Sequence, residues 1–140
     1  MKRKQKILCV LALVLVLTGC DANKKPYQSA VSLFDEGAYA QAAEAFEALG
    51  EYEDAPARLL DSLFLHGKEL LEQKEYQQAI DTLKDLPQAE VKTLIAQAQA
   101  ELDYIQATET LRGGNLALAV KQLFALDGLH DAEEKLQKLH

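Results

Sequence analysis

The chain repeats itself, and this internal repetition constrains its fold more than any single residue does. Segment 46–59 reads Phe-Glu-Ala-Leu-Gly-Glu-Tyr-Glu-Asp-Ala-Pro-Ala-Arg-Leu, and segment 123–136 reads Leu-Phe-Ala-Leu-Asp-Gly-Leu-His-Asp-Ala-Glu-Glu-Lys-Leu. Five of the fourteen positions are identical, and a weaker copy lies between the two segments. Such internal repeats are typical of proteins in which stacked copies of one structural element bury a continuous core.

Three repeats align on Tyr39, Tyr76 and Leu116, which are 37 and 40 residues apart. In each repeat, small or large apolar residues recur at fixed distances before and after this anchor position. The recurring sets are Ala30, Gly67 and Ala107; Ala42, Ala79 and Ala119; Phe46, Leu83 and Leu123; and Leu49, Leu86 and Leu126. The spacing after the anchor places the apolar residues on one stripe of a helix.

The position two residues before the anchor is Gly37, Lys74 or Gly114, so two of the three repeats carry the glycine that often ends a helix. From about residue 26 to residue 126, this pattern resembles the tetratricopeptide repeat. In that family, a small residue on the first helix of a pair lets the second helix pack closely. The resemblance implies antiparallel helix pairs in a short α-solenoid. The spacings exceed the family's usual length of about 34 residues, so we expect longer helices or turns.

The composition favours helix, and no segment has the alternating pattern of a strand. Hydrophobic periodicity predicts helices at residues 26–36, 39–49, 54–73, 75–86, 88–112, 115–126 and 130–139. Asp54, Asn115 and Asp131 are candidate helix starts because their side chains can accept a bond from a free backbone N–H. We therefore predict an all-α fold for residues 27–140, with about three helix-pair repeats and a C-terminal capping helix.

Residues 1–19 have the features of a secretory signal: a basic start, the apolar run 7–17, and small residues before Cys20. The run is shorter than the roughly 20 apolar residues that span a bilayer. The sequence Leu-Thr-Gly-Cys at 17–20 resembles the bacterial lipobox. This resemblance implies that diacylglycerol is attached to Cys20 and that the chain is cleaved between Gly19 and Cys20. A plain signal peptide or a weak membrane helix is the alternative.

Residues 20–26 are then a lipidated cysteine with a polar tether, whose six residues after Cys20 extend to about 20 Å. Asp21 follows the cysteine directly, which resembles an inner-membrane retention signal of bacteria with two membranes. We expect the protein at the extracytoplasmic face of the cell membrane, held there by lipid on Cys20. In a two-membrane host, this is the outer leaflet of the inner membrane.

Charge and cysteine content narrow the possible partners. Without residues 1–19 the chain has 11 basic and 22 acidic residues, a net charge of −11. A surface of this charge repels nucleic acid and anionic lipid head groups. Cys9 leaves with the signal and Cys20 carries lipid, so no thiol remains for a disulfide. We expect a domain that is stabilised by packing alone.

No motif predicts catalysis, a metal site or a cofactor. No second histidine or cysteine lies three or four residues from His66, His130 or His140, so the common local spacing of a zinc site is missing. The loop 127–131 lacks the alternating oxygen ligands of an EF-hand. The glycine pair before Asn115 lies at a helix start but is not followed by the Lys-Ser/Thr of a phosphate loop. We therefore predict that the protein is not an enzyme.

The tetratricopeptide resemblance implies a concave groove lined by the first helix of each repeat. Its candidate residues are Tyr27, Val31, Asp35, Phe64, Lys68, Glu72, Tyr104, Thr108 and Arg112. Aromatic, aliphatic and charged side chains on one surface suit a peptide, although the longer spacing leaves core packing open for some of them. The predicted function is a membrane-anchored protein- or peptide-binding scaffold of the cell envelope. The alternative is an accessory solute- or glycan-binding lipoprotein, or an enzyme without a recognised motif.

Overall fold

The computed structural model describes residues 22–126, and its regular secondary structure in this range is entirely helical. The helices of these residues are α1 (22–35), α2 (Tyr39–Leu49), α3 (Ala55–Glu72), α4 (Tyr76–Leu83), α5 (Val91–Arg112) and α6 (Leu116–Ala125). The predicted all-α class is confirmed for this part of the chain. The predicted signal, Gly19, Cys20 and the capping helix 130–139 lie outside it. Among the described helices, none has both the length and the apolar character required to cross a membrane.

Two segments of the chain differ from the predicted helix boundaries by more than one residue. Residues 22–26, predicted as an extended tether, belong to α1. Lys24 and Lys25 have high helix propensity, and a helix advances only about 1.5 Å per residue, so this segment reaches less far than predicted. The other difference is that α4 ends at Leu83 and α5 begins at Val91. Pro87 explains this gap, because proline disfavours the helical conformation of the residue before it.

The described part of the chain divides into two compact units, residues 22–65 and 66–126, and the boundary falls within α3. In the first unit, the core contains Ala30 of α1, Ala42, Phe46 and Leu49 of α2, and Ala55 at the start of α3. Phe46 has no exposed surface. The alanines leave space for this ring, whose burial we expect to contribute several kcal/mol.

In the second unit, α5 packs against α4 and also against α6. Leu83 of α4 and Leu123 of α6 are fully buried. Gly67 lies so close to α4 that an added Cβ would be 2.4 Å from Cδ2 of Leu83. A side chain at position 67 therefore has no space in the present packing.

Three of the recurring positions are buried in all three repeats, whereas at the position of Leu49 the equivalent Leu86 and Leu126 are only partly buried. Phe46, Leu83 and Leu123 are each 0% exposed. The same is true of the alanines three residues after the anchor and of two of the small residues nine before it, while Gly67 is also buried. The predicted apolar stripe is thus confirmed at these positions.

The same backbone turn ends α1, α3 and α5. In each, one residue adopts a left-handed conformation and its N–H donates to the carbonyl three residues back. The next N–H donates to the carbonyl five residues back, at 2.9 Å from Ala38, 2.8 Å from Glu75 and 3.2 Å from Asn115. The left-handed residues are Gly37 (φ 80°), Lys74 (φ 65°) and Gly114 (φ 82°). These are Schellman motifs, and they occur at the repeat spacing predicted from the sequence.

Candidate binding surface

In the first unit, the predicted groove residues of α1 lie along one face of the helix, since they are four residues apart. Tyr27 and Val31 are partly buried and pack against the core, whereas Asp35 is exposed. Phe64, on α3, is half-buried. The structure therefore gives Tyr27 and Val31 a packing role within this unit and leaves Asp35 facing solvent.

Tyr27 also belongs to a polar cluster at the start of α3. Its hydroxyl donates to the carboxylate of Asp54, and Nε of Arg58 donates to both oxygens of the same carboxylate, at 3.1 and 3.0 Å. The ring of Tyr27 makes edge contacts with Phe46 and Tyr52, with centroids 6.1 and 5.6 Å apart. The cluster joins α1 to the turn before α3.

The hydrogen bond between Tyr27 and Asp54 changes the acidity of both groups. It lowers the pKa of Asp54, to which the hydrogen bond and charge of Arg58 also contribute. The same bond raises the pKa of Tyr27. Asp54 was predicted as a helix start, and α3 does begin at the next residue, Ala55. The carboxylate, however, makes these side-chain contacts. The four-residue spacing to Arg58 signals part of the cluster in the sequence, but nothing local signals Tyr27.

In the second unit, the predicted groove residues of α3 are near the surface. Nζ of Lys68 is 3.8 Å from Oε1 of Glu90, and both side chains remain about half exposed. Glu72 is exposed at the end of α3. An ion pair with this exposure contributes little to stability, so Lys68 is available for replacement without a large folding cost.

The predicted groove residues of α5 have three different environments. Tyr104 packs against the buried pair Ala107 and Leu123. The hydroxyl of Thr108 donates to the carbonyl of Ile105 at 2.8 Å. Arg112, in the last turn of the helix, is exposed. Its positive charge lies where the helix dipole is negative, which is a favourable arrangement.

The second unit also contains a cleft of about 370 Å³ that the sequence did not indicate. Its lining residues are Leu71, Tyr76, Gln97, Ala98 and Glu101. Burial, followed by the charge of the nearby Glu101, raises the pKa of Tyr76. In the sequence, Tyr76 is the anchor residue of the second repeat. The cleft was missed because Glu101 is 25 residues away in the chain and belongs to no local motif.

A second, smaller cleft and an apolar surface lie nearer to α6. The cleft, of about 260 Å³, is lined by residues of α5 and α6 together with Leu126. On α6, Leu116 and Leu118 are 48% and 44% exposed, and Phe124 is 74% exposed. Between residues 22 and 126, no three His, Cys, Asp or Glu side chains form a group able to hold a metal ion.

Comparisons with protein-family models, with curated proteins and with solved structures found no match to this chain. No relative therefore provides a function, a partner or a site residue. The evidence for function comes from the residues of the chain itself and from their arrangement.

Proposed function

We propose that this protein is a membrane-anchored lipoprotein that binds a protein or peptide of the cell envelope through tetratricopeptide-like helical repeats. The observation that carries the repeat architecture is the recurrence of one Schellman turn at Gly37, Lys74 and Gly114. Each turn is associated with the same buried small and large apolar positions. A shared turn and a shared core pattern support a common supersecondary unit, as in proteins built from helix-pair repeats.

Sequence features outside the described residues support the membrane location. The basic start, the apolar run 7–17 and the Leu-Thr-Gly-Cys sequence together are typical of a lipoprotein signal. Lipid on Cys20 then anchors the protein, and Asp21 is consistent with retention in the inner membrane where there are two membranes. Because α1 already includes residue 22, the helical domain follows the anchor with almost no intervening linker. We infer that the anchor holds the domain at the membrane surface.

Surface chemistry supports binding as the role of the domain. Asp35, Glu72 and Arg112 are exposed on the helices that the repeat pattern assigns to a groove, and Lys68 is half exposed. Charged side chains around a binding surface favour the choice of partner and its rate of association. Proteins built from stacked helix-pair repeats commonly bind polypeptides along extended surfaces, which supports a polypeptide partner.

Crosslinking in intact cells, followed by mass spectrometry of the captured proteins, tests this function. We expect one recurrent envelope protein, and we expect Lys68→Glu or Arg112→Glu to reduce its recovery strongly. Lys92→Glu is the matched control, since Lys92 is also exposed on α5 but is not a predicted groove residue. If every charge reversal leaves the list of captured proteins unchanged, the proposed binding surface is wrong. Recovery of a small solute or glycan instead would favour the accessory-protein alternative.

Membrane attachment has its own test. The intact mass of the protein isolated from membranes should correspond to a chain that begins at Cys20 and carries diacylglycerol. A Cys20→Ser variant should keep its signal and lose the lipid. Detection of an unmodified Cys20 in the mature protein would contradict the lipoprotein assignment.

A further inference from the structure

The cleft of the second unit has one polar end and an apolar lining. The polar groups come from Gln97 and Glu101, which lie one helical turn apart on α5 and therefore on the same face. The apolar lining comes from Leu71 and from the buried Ala98. The ring of Tyr76 adds an aromatic surface. A ligand that fits has an apolar stem and a polar end that donates hydrogen bonds.

The carboxylate of Glu101 lies close to the hydroxyl of Tyr76. After burial, its charge is the next cause of the raised pKa of Tyr76, and the two oxygens of an ionised carboxylate accept hydrogen bonds but cannot donate them. The raised pKa of Tyr76 keeps its hydroxyl protonated at neutral pH, so the tyrosine remains a donor. Glu101 thus brings a negative charge to the lining of the cleft, beside the aromatic ring of Tyr76.

We propose that this cleft receives a lysine or arginine side chain of the polypeptide that the protein binds, an inference that rests on the proposed function. The alkyl stem packs against Leu71 and Ala98, and the charged end donates to Glu101. The aromatic ring of Tyr76 attracts the same cation through its face. Lysine and arginine are the side chains that combine a long apolar stem with a charged donor.

Charge complementarity selects this occupant over others. The whole chain has a net charge of −7, which attracts a basic segment and repels an acidic one. The last turn of α3, which contributes Leu71, has no basic residue, so the negative end of its helix dipole is not neutralised by its own side chains. A purely apolar group in the cleft would remove water from Glu101 without replacing its hydrogen bonds.

A nuclear magnetic resonance titration of the ¹⁵N-labelled full chain in detergent micelles tests the proposal. The probes are the blocked tripeptides Gly-Lys-Gly and Gly-Arg-Gly, with Gly-norleucine-Gly as the uncharged analogue of the lysine peptide. We expect saturable shifts of the amide signals of Tyr76, Gln97 and Ala98 with both basic peptides. The norleucine peptide should cause none. Equal binding of norleucine would overturn the proposal.

The variant Glu101→Gln removes the charge and preserves the size of the side chain and its ability to accept from Tyr76. It should weaken binding of the lysine peptide about tenfold or more, as expected for loss of a charge-assisted hydrogen bond. Glu109→Gln is the matched control, because Glu109 is exposed on the same helix and does not line the cleft. It should bind as the wild type does. Wild-type affinity in Glu101→Gln would overturn the proposal.

Tyr76→Phe provides a second, independent variant that keeps the ring and removes the hydroxyl. It should weaken binding less than Glu101→Gln does, because the carboxylate of Glu101 and the aromatic ring at position 76 both remain. Putrescine distinguishes a peptide site from a site for free amines. If putrescine binds in a Glu101-dependent manner and neither basic peptide does, the cleft is an amine site and the proposal is wrong.

These outcomes are separable from those of the crosslinking experiment. Lys68 and Arg112 do not line the cleft, so a partner lost on their charge reversal supports the proposed function regardless of Glu101. A partner that is captured normally by Glu101→Gln, together with absent peptide binding, would refute only the cleft assignment. Peptide binding at Glu101 with no captured protein would instead refute the proposed envelope partner.

Discussion

Replacement of Gly67 by alanine tests the close packing on which the second unit depends. The added Cβ would lie 2.4 Å from Cδ2 and 2.5 Å from Cγ of Leu83. Leu83 has no exposed surface, so any movement of its side chain must be accommodated within the core. Forcing an extra methyl into a filled core costs about 1–3 kcal/mol. Alanine recovers about 0.5–1 kcal/mol through its better helix propensity. The difference is a net loss of up to about 2.5 kcal/mol, with a central value of about 1 kcal/mol.

Urea unfolding followed by circular dichroism measures this loss. Gly113→Ala is the matched control, because a Cβ there meets only the carbonyl oxygens of Glu109 and Thr110, at an ordinary 3.5 Å. Its effect should be smaller than about 0.5 kcal/mol. The double variant Gly67→Ala with Leu83→Ala identifies the contact directly. Leu83→Ala alone should cost about 2–5 kcal/mol. The double variant should lose less stability than the sum of the two single losses, because the smaller side chain at position 83 makes room for the methyl group.

Two results would refute this reasoning. A Gly67→Ala protein as stable as the wild type would mean that helix propensity outweighs the clash, and hence that α3 and α4 are farther apart than described. Simple additivity in the double variant would mean that the new methyl does not meet Leu83. Either result would also mean that position 67 does not require a small residue, contrary to the repeat pattern.

Three further predictions concern the turns, the first core and its polar cluster. Lys74→Gly should raise the free energy of unfolding by about 0.5–1 kcal/mol, because Lys74 adopts the left-handed conformation that glycine prefers. Urea unfolding measures this gain. Lys84→Gly, at an exposed position with an ordinary φ, is the control and should show no gain. Phe46→Ala should lower it by about 3–5 kcal/mol, because the ring is fully buried; an almost unchanged melting temperature would show that the repeat alignment is wrong. Asp54 has a pKa below its usual 3.8 in the folded chain, so its stabilisation is complete above that value and is lost as the pH falls through the lowered pKa. The stability difference between wild type and Asp54→Asn should therefore shrink below about pH 4, and a difference that is constant down to pH 2 would contradict the role of the cluster.

Helix order and burial were predictable because both depend on short-range spacing. The offsets from each anchor identified Phe46, Leu83 and Leu123 as core residues, and all three are fully buried. Asn115 was predicted to begin a helix, and its side chain accepts from the N–H of Leu118 at 3.3 Å. In each case the determining interactions lie within one or two helical turns, where sequence spacing translates directly into position.

The candidate sites were less predictable because their contacts join distant segments. Tyr27 was assigned to a groove by its repeat position, but its bond to Asp54 crosses 27 residues. The contact between Tyr76 and Glu101 crosses 25 residues and forms the polar end of a cleft. Spacing fixes the face of a helix on which a residue lies, but it does not fix the residue that meets it from another helix. Such pairings follow from tertiary packing.

Photocrosslinking from position 112 in intact cells tests the central claim most directly. A photoreactive phenylalanine analogue replaces Arg112 in one strain and Lys92 in another, and both positions are exposed on α5. The proposed function predicts that position 112 captures one recurrent envelope protein in the membrane fraction, while position 92 captures only background. The same background pattern from both positions would contradict a binding surface on this face of the protein.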